Sequence, residues 1–193
     1  MGFLEILTGR RKLKGPAPDR LFAISTAYIT LQTEHGIEPG GVAAIVFQAL
    51  SNAEFESLVT DMEQVVAATG AESGTKVERE DDEYGYRWMV LRPGSVEDLA
   101  VGINAVSGAL ESGGYGDRLL CAVFAFRDSR HSDRRVYFIY NYKRGSWYPF
   151  VPRAGEQNAR DVERELQLKA QVSGEMPIEP ELERWFPLWG IPL

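Results

Sequence analysis

Apolar positions recur at helical spacing in two segments. Phe55, Leu58, Val59, Met62, Val65 and Val66 fall on one stripe of a helix. Ser51 with Glu54 has the form of a capping box ahead of that stripe, and Gly70 is a stop. Val96, Leu99, Ile103, Val106 and Leu110 keep the same register, with Ser95 and Asp98 at the start and Gly113-Gly114 at the end. A third helix is expected over 156–172, with Val162 and Leu166 inward. Strand patterns lie between them. Ala27–Thr33 and Val42–Leu50 flank a Gly/Pro-rich turn over 35–41. Tyr84, Tyr86, Trp88 and Val90 alternate. Leu119–Phe126 is apolar at successive positions, as in a central strand covered on both faces. Val136–Tyr142 and Trp147–Val151 flank the tight turn Lys143-Arg144-Gly145-Ser146.

This order predicts an α+β fold: a two-layer sandwich of a mainly antiparallel sheet with helices on one face. A strand-strand-helix unit is expected twice, over 27–70 and 75–113. Gly15, Pro16 and Pro18 read as a linker. It divides a basic N-terminal segment, 1–18, from a single α+β domain with an apolar tail, 19–193.

Charge sharpens that division. The 193 residues carry a formal −7, yet residues 1–18 carry +3, which leaves −10 for the rest. An acidic body argues against a nucleic-acid binder. The aromatic and basic cluster Tyr140, Tyr142, Lys143, Arg144, Trp147 and Tyr148 reads as packing around a hairpin. One Cys and two His exclude a disulfide scaffold and a zinc module. The lone Cys121, in the most apolar strand, reads as a small buried hydrophobe and fits a cytoplasmic protein. No run of apolar residues is long enough to span a bilayer.

Catalytic patterns are missing: there is no P-loop, no dinucleotide fingerprint and no nucleophile elbow. Asp128, Ser129, His131, Ser132 and Asp133 hold the residue types of a hydrolase triad, but five residues of one turn do not readily converge. They read as a polar turn, and His35 as a solvated loop residue. The run Glu78, Glu80, Asp81, Asp82 and Glu83 lacks the spacing of a calcium loop and reads as a solvated hairpin tip. No cofactor, metal or catalytic residue is expected. An enzyme would have to draw on Glu78, Asp128 or His131.

Two terminal segments are candidate contacts. In the first, the apolar Phe3, Leu4 and Leu7 precede the basic Arg10, Arg11, Lys12 and Lys14. That order resembles a weak interfacial anchor, each basic group being worth about 1 kcal/mol at an anionic bilayer. The alternative is a short helix docked on the domain. The second is the tail around Trp185, Phe186 and Trp189, which either fills a groove on its own core or meets a partner. A different reading makes the chain a small-molecule or peptide sensor, with Tyr84, Tyr86, Trp88, Trp147 and Tyr148 lining a groove.

Several segments together carry a family resemblance. They are Met1-Gly2-Phe3-Leu4, Tyr84-Gly85-Tyr86-Arg87-Trp88, and residues 119–126. Tyr142-Lys143-Arg144-Gly145-Ser146-Trp147-Tyr148-Pro149-Phe150 and residues 180–190 complete it. The chain resembles the PspAB, or PspA-associated, family of actinobacteria and archaea. The resemblance implies association with PspA, which coats stressed membranes, and with an HtpX-type membrane protease. It implies an adaptor or regulatory role in envelope stress at the inner face of the membrane, and it supplies no catalytic residues.

Overall fold

A computed structural model describes residues 18–70 and 74–193. The candidate N-terminal contacts Phe3, Leu4, Leu7, Arg10, Arg11, Lys12 and Lys14 lie outside the described residues.

The chain opens with α1 (Pro18–Phe22) and α2 (Ile24–His35), followed by β1 (Ile37–Gln48) and α3 (Ala53–Thr69). A hairpin of β2 (Lys76–Asp81) and β3 (Tyr86–Arg92) leads to α4 (Val96–Ser112). Then come β4 (Leu119–Asp128), β5 (Arg134–Asn141), β6 (Ser146–Phe150) and α5 (Val162–Val172). The strands form one six-stranded antiparallel sheet in the order β2-β3-β1-β4-β5-β6. The fold is α+β, as the apolar patterning predicts.

Alternation along the central strands sends side chains to two cores. Ile45, Phe47, Met89, Leu91, Phe124 and Phe138 join the helices in one core, with Ile103 of α4 and Leu168 of α5. Val46, Trp88, Val90, Val123, Ile139 and Tyr148 face the other way, under the C-terminal segment. The expected double cover of 119–126 is therefore present, and chain beyond α5 supplies half of it.

The stripe on α4 is buried throughout, and Ser95 caps it, accepting from the Asp98 N–H at 3.1 Å. On α3 the cap is Asn52 rather than Ser51, its Oδ1 accepting from the Phe55 N–H at 2.8 Å. Val65 of that stripe is exposed.

Two expectations are overturned. Ala27–Thr33 is helical, so the strand-strand-helix unit over 27–70 does not exist. The β-branched Ile29, Thr30 and Thr33 suggest a strand. The deciding pattern is Leu21, Ile24, Ala27 and Leu31, all buried at helical spacing, while Ile29 is exposed. The helix stops at Gly36, whose φ of 69° is the left-handed conformation that glycine adopts at no steric cost. The second correction concerns α5, which turns its face by about one residue. Val162 and Leu166 are exposed, and Arg164, Glu165, Leu168 and Val172 are buried. Hydrophobicity alone misplaces this face, because two of its inward residues are charged.

Candidate functional site

The charged residues of α5 organise one end of the sheet. Asp128 ends β4 with no exposed surface. Arg164, from the first turn of α5, donates from Nε to Asp128 Oδ2 at 2.8 Å, and its own side chain is 8 % exposed. His131, three residues past Asp128, places Nδ1 at 3.0 Å from the other carboxylate oxygen. A carboxylate only accepts, so Nδ1 is the donor in this contact. The reading of 128–133 as residues that do not converge is corrected for this pair. The turn curls back through Ser132 and Asp133, at φ 58° and 53°. No triad results, since Ser129 Oγ donates to the Gly36 carbonyl at 2.7 Å.

A second pair lies next to it. Asp161 caps α5, accepting from the Arg164 N–H at 3.1 Å, and pairs with Arg134 at the start of β5. Glu165 is fully buried. Its carboxylate accepts from the Val151 N–H at 2.9 Å and from Arg160, whose Nη2 lies at 2.7 Å. Arg160 also donates to the Trp185 carbonyl at 2.7 Å, so this group ties the tail to α5.

Burial acts on these carboxyls in two ways. At Asp128 desolvation alone raises the pKa, but the bonds from His131 and Arg164 outweigh it and hold the group below its ordinary value. At Glu165 desolvation prevails over Arg160, and the carboxyl is raised. The signs are opposite. Asp128 stabilises the fold above the unfolded value of about 3.9, and this is lost as pH falls through the lower folded value. The Glu165 contribution is complete below about 4.3 and is lost as pH rises through its raised value. Urea unfolding across pH should show a steeper acid loss for the parent than for Asp128→Asn. Parallel profiles would remove Asp128 as the cause.

The loop between β6 and α5 faces the β4–β5 turn across a cleft of about 790 Å³. Its walls include His131, Arg134, Arg135, Arg153, Glu156 and Asp161. Sequence reasoning singled out His131, Ser132 and Asp133 here, as a polar turn. The arginines carry no local pattern, and the partners Asp128 and Arg164 are 36 residues apart.

The five rings expected to line a groove are not brought together. Trp147 has no exposed surface and sits in the helix-side core, donating from Nε1 to the Arg20 carbonyl at 2.7 Å. Trp88 and Tyr148 are buried on the opposite face, with Tyr86 packed against that core, and Tyr84 is exposed in the β2–β3 turn. Trp88 on β3 and Tyr148 on β6 are four strand spacings apart, roughly 19 Å.

The acidic hairpin is more engaged than a solvated tip. Asp81 makes two bonds with Arg87, at 2.6 and 2.8 Å, and Arg87 reaches Glu56 of α3 at 2.7 Å. Glu78 pairs with Arg92. Asp82 Oδ1 accepts from the N–H groups of Tyr84 and Tyr86, shaping the turn. These bonds fasten the edge strand β2 to the body.

The tail divides into an inner and an outer part. Trp185 is buried, stacked on Tyr148 with ring centroids 6.2 Å apart, and its Nε1 donates to the Glu179 carbonyl at 3.0 Å. It therefore packs on its own chain. Tyr148 donates from its hydroxyl to the Phe186 carbonyl at 3.0 Å, yet the Phe186 ring is 58 % exposed. Trp189 meets Phe150 edge-on at 5.2 Å and stays 38 % exposed. Of the three candidate tail contacts, Phe186 and Trp189 present surface.

With this geometry in place, one comparison decides the lineage: the family model PspAB, PspA associated protein B, matches residues 1–193. The chain belongs to the PspAB family. No curated protein and no solved structure matches it. The family name links PspAB proteins to PspA. Among the described residues, no helix is long and apolar enough to cross a membrane.

Proposed function

We propose that this PspAB protein is a non-enzymatic adaptor or regulator in a PspA-linked envelope-stress response, working in the cytoplasm at the inner face of the membrane. The observation that carries this reading is the family match over the whole chain. Three features support it. The sequence carries no catalytic motif. The buried carboxylates Asp128 and Glu165 are committed to arginines that hold the fold together. The exposed rings of Phe186 and Trp189 are apolar surface on an otherwise acidic body.

PspA is the expected partner, and an HtpX-type membrane protease is a second one by family resemblance. Residues 1–14, with Phe3, Leu4 and Leu7 ahead of four basic groups, would add weak peripheral attraction to an anionic membrane. Affinity capture of the full chain with PspA as bait, under membrane stress, tests the proposal. Capture is expected, and it should fall about tenfold on deleting 1–14 or on combining Phe186→Ala with Trp189→Ala, as for hot-spot residues. Failure of both PspA and the protease to capture the full chain would refute the adaptor role.

A further inference from the structure

The outer surface of α3 and α4 is acidic throughout. Neither helix carries a Lys, Arg or His. Glu56 and Glu63 turn toward Arg79 and Arg87 of the β2–β3 hairpin. Glu54, Asp61, Glu97, Asp98 and Glu111 have no ion pair among the described residues. Carboxylates without cations among them leave a negative potential over this face. The face is also partly apolar. The two helices run antiparallel and close together: a Cβ on Gly113 would stand 2.7 Å from Leu58 Cδ2, and one on Gly102 3.6 Å from Val66 Cγ1. Val66, Asp98, Val101 and Gly102 line one shallow dip over this seam. Val65 and Val101, the neighbours of Val66 and Gly102, are 54 % and 53 % exposed. Asp61 stands one turn before Val65. The seam therefore presents apolar side chains between carboxylates.

The complementary pattern belongs to the same chain. Phe3, Leu4 and Leu7 precede Arg10, Arg11, Lys12 and Lys14. This segment joins the body at Pro18, where α1 begins, and α1 packs on α4. The chain from Leu7 to Pro18 can extend about 36 Å, whereas α4, with 17 residues, is about 26 Å long. The whole seam is within reach of the segment.

We propose that residues 1–14 dock on the α3–α4 seam of their own chain, with Phe3, Leu4 and Leu7 against Val65 and Val101 and the basic groups against the flanking carboxylates. The tether makes this contact intramolecular, so modest attraction at each group suffices. A docked segment is withdrawn from an anionic membrane, and seam and membrane compete for it. The docking deepens the membrane contact proposed above and rests on that reading only for the competition.

Carbodiimide cross-linking of the full chain tests it, because the reagent joins a lysine amine only to a carboxylate in contact with it. Cross-links from Lys12 or Lys14 to Asp61 or Asp98 are expected, falling about threefold or more as salt is raised to about 1 M. A mixture of isotope-labelled and unlabelled chains separates contacts within a chain from contacts between copies. Asp61→Asn combined with Val101→Asn, at two exposed positions, should cut the cross-links to Asp98 by a similar factor. The same variant should bind phosphatidylglycerol vesicles about threefold more tightly, since the segment is no longer held back. Glu175→Gln, an equal loss of charge at an exposed position past α5, should not. Circular dichroism confirms that each variant is folded. Cross-links only to carboxylates outside α3 and α4, only between chains, or none at all would overturn the docking. Equal vesicle binding by the parent and the double variant would overturn the competition. The cross-linking uses neither PspA nor a membrane, so its failure is distinct from a failure of capture.

Discussion

Asp128→Ala should destabilise the protein by about 3–5 kcal/mol, the usual cost of removing one partner of a buried ion pair. The carboxylate has no exposed surface, and it answers Arg164, which is itself nearly buried. Without Asp128 the guanidinium would keep its charge in a low-dielectric setting, with Gln167 Oε1 at 3.1 Å as its remaining side-chain acceptor. His131 would lose its anchor at the same time. For a chain of this size the change corresponds to a fall in Tm of roughly 10 °C. Urea or thermal unfolding provides the measurement. A double variant, Asp128→Leu with Arg164→Met, should recover much of the loss, because the charge and its partner leave together. A loss in Asp128→Ala below about 1 kcal/mol would mean that water reaches Arg164 and screens it.

That pair marks where a sequence stops being informative. The α4 stripe is legible because its information is local: Val96, Leu99, Ile103, Val106 and Leu110 differ by three and four residues, and all are buried. The β4 strand is legible for the same reason, its apolar positions facing both ways. The inward face of α5 is not, because Arg164 and Glu165 are buried by partners that arrive from elsewhere in the chain. No periodicity of apolar residues can show that Arg164 belongs to Asp128, or that Arg160 braces Glu165 and holds the tail. The α2 segment fails differently. Its β-branched residues argue for a strand, but burial of Leu21, Ile24, Ala27 and Leu31 against the sheet outweighs that weak preference.

The same limit applies to the site. The composition of 128–133 is visible in the sequence, whereas the return of His131 onto Asp128 depends on a turn in which the His131 N–H donates to the Asp128 carbonyl at 3.2 Å. The aromatic groove fails on register. Trp147 and Tyr148 are adjacent residues of one strand, so they must point to opposite faces. Both therefore could not line one groove, and the alternation rule already contains this conclusion.

The tail carries the second large effect. Trp185→Ala should destabilise by about 3–5 kcal/mol, as for other buried aromatic truncations. The ring is 3 % exposed, stacks on Tyr148, receives Lys169 Nζ at 5.7 Å from its centroid and donates to the Glu179 carbonyl. Losing it removes the inner fastening of the segment that covers Val123, Ile139 and Tyr148. The variant should bind a hydrophobic dye in proportion to the face uncovered. Phe186→Ala, one residue on, removes a ring that is mostly in solvent and should change stability by no more than about 0.5 kcal/mol. The contrast separates two roles within adjacent positions. If Trp185→Ala lowers stability while Phe186→Ala lowers only PspA capture, the tail is a cover on its inner side and a contact on its outer side. If Trp185→Ala leaves stability and dye binding unchanged, the tail does not hold that face of the sheet, and the exposed rings lose their fixed placement for a partner.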